Sequence, residues 1–154
     1  MKEKIGKLKI SGQVFIWKYL DNSRNYPGWN LTADKKACKE LSHLFDMMSE
    51  SEWSLCKTVT TSKPMETELA VPNNQNGNAK WLTKTAITFC IKPTQSENYL
   101  SITEMSDSVE IDLGRQMLHK LKEAIMSISS GNGDFSISDE NQTYILTFWW
   151  NLRK

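Results

Sequence analysis

The chain has 154 residues, 19 basic and 18 acidic, with a net charge of +1 and a pI near 7.7. A chain of this length buries roughly 70% of its unfolded surface, so one globular domain over residues 1–154 with its own core is the simplest expectation. The charge balance carries no basic patch of the kind nucleic-acid binders show, and Lys2, Lys4, Lys7 and Lys9 read as a solubilising edge.

In chain order, Lys7 to Leu20 alternates like a strand, with Leu8, Ile10, Val14 and Ile16 on one face and Phe15, Trp17 and Tyr19 on the other. Ser11-Gly12 reads as a bulge or, preferably, a hairpin turn splitting it. Tyr26-Pro27-Gly28-Trp29 follows as a tight turn. Pro27 fixes its own φ, pushes Tyr26 into an extended conformation, and Gly28 supplies the positive φ of a type II turn. Thr32 is the expected N-cap of a helix over Ala33 to Ser49, with Asp34 in the first turn. Ala37, Leu41, Leu44, Phe45 and Met48 form its apolar stripe.

Leu55 to Thr61 reads as a strand, and Met65 to Asn78 as an exposed, mobile connection whose Asn73 to Asn78 run has nothing to bury. Trp81 to Ile91 reads as one long strand. Tyr99 to Met105 and Val109 to Leu113 form an expected hairpin around Ser106-Asp107. Arg115 to Ser129 is a second amphipathic helix with Gly131 as its left-handed terminator, and Gly131 to Asp134 a turn. Thr143 to Leu152 closes the chain as a strand apolar on both sides, hence central or facing an interface. No internal repeat is evident. Two one-stripe helices among strands give an α+β fold: an antiparallel sheet of about five to seven strands covered by two amphipathic helices, a two-layer sandwich.

Cys38, Cys56 and Cys90 are odd in number and far apart, without metal-ligand spacing, and read as free thiols in a reducing compartment. The apolar run Val14 to Trp17 is too short for a signal or membrane segment, so the expected location is the cytoplasm, away from any membrane. No nucleotide fingerprint, Walker A loop, GxSxG elbow or HExxH frame is present. Cys38 lies too far into its helix for the dipole to activate it, and neither His43 nor His119, both within expected helices, sits in an HxxE or HExxH frame. No cofactor or metal is expected. The enzymatic alternative, a small carboxylate- or metal-dependent hydrolase, would have to use Asp21, Asp34 and Asp134, with Asn22, Asn25 and Asn30 nearby. Such residues also fasten turns and caps, the commoner use.

What remains is aromatic display. Six tryptophans are many for this length, and Trp17, Tyr19, Tyr26, Trp29, Trp149 and Trp150 gather in two chain regions. The pattern Tyr19-x-Asp21-x3-Asn25-x-Pro27-Gly28-Trp29-x-Leu31-x-Ala33-Asp34, then Gly131-x-Gly133-Asp134-x2-Ile137 and Trp149-Trp150, with Val71-Pro72-Asn73-Asn74, resembles that of small bacterial proteins of no assigned activity. The general look is similar to immunity proteins, the cognate inhibitors of bacterial toxins, and implies a protein partner. Inhibitors of nucleases tend to be acidic, so a nuclease target does not suit this neutral chain. The expectation is a non-catalytic protein-binding module, its binding set Asp21, Asn25, Tyr26, Trp29, Asp34, Asp134 and Trp150. A third reading is a structural protein, or a homodimer through the terminal strand.

Overall fold

The computed structural model describes residues 2–21, 27–72, 80–131 and 135–151. A short helix, α1 (Lys2–Lys7), leads to β1 (Val14–Tyr19), which pairs antiparallel with β2 (Trp29–Ala33) from Val14–Ala33 to Lys18–Trp29. The strand expected over Lys7 to Leu20 thus begins only at Val14, and Ser11-Gly12 is not a hairpin. Its backbone donors go elsewhere: the Glu40 carboxylate accepts the N–H of Ser11 at 3.1 Å and of Gly12 at 2.8 Å. Gly12 comes so close to the next helix that a Cβ would stand 2.3 Å from the Ala37 nitrogen.

That helix, α2 (Lys35–Ser49), is capped by Asp34, which accepts from Ala37 N–H at 2.8 Å and also from Gln13 N–H at 2.9 Å. Thr32, the expected cap, lies inside β2, where its hydroxyl donates to the Trp149 carbonyl at 2.7 Å. After α2 come β3 (Leu55–Thr60) and a one-turn helix α3 (Glu66–Leu69). The connection expected to be exposed in fact buries Val71 and Glu68; its polar run at 73–78 lies outside the described residues. The long strand expected over Trp81 to Ile91 is two: β4 (Trp81–Thr83) pairs with β1, whereas β5 (Ala86–Ile91) pairs with β3. β6 (Leu100–Glu104) and β7 (Ser108–Leu113) form the expected hairpin. α4 (Arg115–Ser129) has the expected bounds, and Gly131 terminates it at φ +79. The chain continues through β8 (Phe135–Ser138) to β9 (Ile145–Phe148).

The fold is α+β, but a single antiparallel sheet is corrected to two mixed sheets. One runs β4-β1-β2-β9-β8, the other β3-β5-β7-β6, with β2/β9 and β5/β7 parallel. Each begins from a hairpin leading into a helix, β1-β2-α2 or β6-β7-α4. The antiparallel strand pair after each helix then crosses to the other sheet: β3 and β5, with α3 and β4 between them in sequence, onto β7, and the hairpin β8-β9 onto β2. A repeat is therefore present in the architecture. Both helices have 15 residues, and Ala37, Cys38, Leu41, Leu44, Phe45 and Met48 are matched in spacing and burial by Met117, Leu118, Leu121, Ala124, Ile125 and Ile128. The repeat escapes notice in sequence because the matched positions share burial rather than residue type.

The inner faces of both sheets and both helices fill one core, with Phe45 edge-on to Phe89 at 5.1 Å. The alternation in β1 holds: Val14 and Ile16 enter this core, while Phe15, Trp17 and Tyr19 form a second cluster with Val71 and Trp149 on the opposite face. The start of α4 is tied to the end of α2 by Arg115, whose guanidinium donates to the Ser49 carbonyl and to the Ser51 carbonyl at 3.0 Å. β9 is flanked by β2 and β8, so both its edges are used and it offers none for pairing with a second copy. Among the described residues, no helix is long and apolar enough to cross a membrane.

Candidate functional site

Gly28 has the positive φ expected of it, +73°, and it packs so tightly that a Cβ would meet the Ile145 carbonyl oxygen at 2.2 Å. The Pro27-Gly28 corner is thereby seated on the start of β9. Beside it lies a cleft of about 290 Å³, open between the two sheets and walled by Lys18, Tyr19, Trp29, Ile102 and Tyr144. Trp29 is only 6% exposed and belongs to the main core, so it is a wall of the cleft and not a projecting anchor. The Lys18 ammonium stands 5.2 Å from its ring centroid. Lys18 also pairs with Glu104 of the other sheet, which meets Lys84 at 3.4 Å. The hydrogen bond from Lys18, with the charges of both lysines, holds the Glu104 carboxyl below its ordinary value. Leu20, next to Tyr19 in sequence, and Met105, next to Glu104, are exposed apolar side chains.

The sequence-expected binding residues do not assemble into one site. Asp21 accepts the Lys80 N–H at 2.9 Å and fastens a loop; Asp34 caps α2. They sit beyond opposite ends of the β1/β2 ladder, whose five residue pairs alone span about 13 Å. One ion or substrate atom cannot bridge them. Trp150 is half-buried and edge-on to Trp149 at 6.1 Å; both lie past the end of β9 and pack with the same outer cluster, so strand alternation does not separate them. Asn25, Tyr26 and Asp134 lie outside the described residues.

Asn30, read from sequence as a loop residue, is a buried core fastener: its side chain accepts the Trp149 indole N–H at 2.9 Å and donates to the Trp17 carbonyl at 3.3 Å. Trp149 is thereby held over the outer cluster.

A second constellation was invisible in sequence. Cys56 and Cys90 are not free thiols; they face each other across β3 and β5 and form a disulfide. Cys38 alone is free, and burial, with the nearby Asp34 charge, pushes its thiol up to about 12, which fits an inert core role. Next to Cys90, burial and then the charge of Glu110 push the Asp112 carboxyl upward, partly offset by Lys92. Periodicity placed these residues on strands but could not say which strands would be neighbours.

A larger cavity, about 740 Å³, opens at the start of α2 between Lys35, Cys38, Met126 and Ser129. The repeat matches Lys35 to Arg115, which ties the two helices together at the other end of the pair. Comparison with family models, with curated proteins and with solved structures finds no match.

Proposed function

We propose that this chain is a non-catalytic protein-binding module that receives a partner's side chains in the cleft beside Gly28 and Trp29. The observation that carries the reading is the combination at that cleft. Aromatic walls (Trp29, Tyr144) are fixed by the fold, a cation sits over the Trp29 ring, and exposed Leu20 and Met105 adjoin in sequence Tyr19, which borders the cleft, and Glu104, which pairs with its Lys18. Preformed aromatic clefts with apolar rims are how protein partners are commonly anchored. The dispersal of Asp21 and Asp34 removes two carboxylates from the constellation a hydrolase would need. The specific form of the reading, neutralisation of a toxin, rests on resemblance to immunity proteins.

The test uses surface positions so that loss of binding is not loss of fold. Leu20→Asp with Met105→Asp, and separately Thr143→Arg in the cleft wall, should leave thermal unfolding unchanged. Co-expression with the product of the adjacent gene is the assay: wild type relieves its toxicity and co-purifies with it, and both variants fail. Equal protection by wild type and variants would remove the cleft from the function.

A further inference from the structure

The outer face of the four-stranded sheet gathers four metal-ligand side chains from three adjacent strands. Cys56 on β3 stands opposite Cys90 on β5, and Cys90 is in register with Asp112 on β7. Glu110 is two residues back along β7, so the pleat sends it to the same side as Asp112. The alternate positions, Phe89 and Ile111 among them, fill the core on the other face. The Cys90 sulfur and one carboxylate oxygen each from Glu110 and Asp112 lie within 4.8 Å of one another. Donors around one zinc ion stand roughly 3.3–3.8 Å apart, given bonds of about 2.0–2.3 Å. The difference is about 1 Å, within the reach of the half-exposed Glu110 and Asp112 side chains. Among the described residues, the buried Oδ1 of Asp112 has no hydrogen-bond partner, an arrangement that costs free energy unless something else meets it.

We propose that reduction of the Cys56–Cys90 disulfide turns this face into a site for one zinc-class divalent cation, held by Cys56, Cys90, Asp112 and Glu110, and that reoxidation dismantles it. Two thiolates and two carboxylates select a borderline-soft cation over magnesium or calcium. Lys92 faces Asp112 and opposes the cation, but four negative ligands outweigh it. The redox step balances with a dithiol as reductant: its two S–H bonds become one S–S bond, and the protein S–S bond becomes two thiols, with two electrons and two protons transferred. Cys56 is exposed and open to the attacking thiolate, while Cys90 is buried and leaves. Cation binding then releases the two thiol protons to solvent. In the oxidised chain the sulfurs are spent on each other and two carboxylates remain, too few to hold zinc.

The test titrates the full-length chain with zinc and, in parallel, cadmium, whose thiolate charge-transfer absorption reports sulfur ligation. A phosphine reductant leaves no competing thiol. The reduced chain, checked as folded by circular dichroism, should bind one cation per chain with the cadmium band, and the oxidised chain should bind none. Glu110→Gln with Asp112→Asn should weaken zinc at least about tenfold while keeping the cadmium band. Cys56→Ser, a change at an exposed position, should lose both the disulfide and most of the affinity. No binding by the reduced chain, equal binding by the oxidised chain, or unchanged affinity in the double carboxylate variant would each overturn the proposal.

Discussion

Gly28 shows how much one residue can carry. Its φ of +73 is accessible to glycine without strain, and the space where a Cβ would go is taken by the Ile145 carbonyl. Gly28→Ala should therefore lower stability by about 1–3 kcal/mol from backbone conformation alone, with the clash adding to it. Chemical denaturation measures this directly, and a loss below about 0.5 kcal/mol would mean that the corner relaxes freely. The turn chemistry of Pro27-Gly28 was readable from residue types, because it depends on the glycine's own backbone. That Gly28 is pressed against Ile145 was not readable, since the contact joins segments far apart in the chain. Asp34 is a milder case. A carboxylate near the helix start was legible, although as a first-turn residue; whether Thr32 or Asp34 caps depends on where β2 ends, which pairing with β1 and β9 decides.

Among elements, α2 is held at its start by the segment before β1. Burial opposes ionisation of Glu40, but hydrogen bonds from the Gly12 and Ser11 N–H groups and the Ser11 hydroxyl outweigh it, and its carboxyl sits below the ordinary 4.5. A carboxyl depressed in the folded state adds stability that is fully present above its unfolded value and is lost as pH falls through the folded one. The contact is largely water-exposed, so screening keeps it modest. Glu40→Gln should cost up to about 1 kcal/mol near neutral pH, and the difference from wild type should shrink as pH drops below 4.5. Urea unfolding at a series of pH values reads this, and a difference that stays constant with pH would show that the charge on Glu40 is not what holds the segment. Helix α4 was legible to the residue because its apolar stripe, its start before Arg115 and its stop at Gly131 are all local. β1 was cut short for the opposite reason: Leu8 and Ile10 alternate correctly, yet Glu40, distant in sequence, takes the donors that a strand would need.

At the level of the whole molecule, the exchange of strand pairs makes each sheet a joint product of both chain halves. β2 lacks a partner on one side without β9, and β5 lacks one without β7. A fragment of residues 1–93 and one of residues 94–154 should each show no cooperative thermal transition, while the two refolded together recover one. Cooperative unfolding of either fragment alone would show that the halves are independent. Local chemistry was enough to set where both long helices form, the β6–β7 hairpin, the two faces of β1 and the glycine corner, since each depends on neighbours along the chain. Which strands became partners, whether Cys56 met Cys90, and that Asp21 and Asp34 parted to opposite ends of a ladder were settled by three-dimensional packing. The alternation of apolar residues says which way a strand faces, and it is silent on what lies beside it.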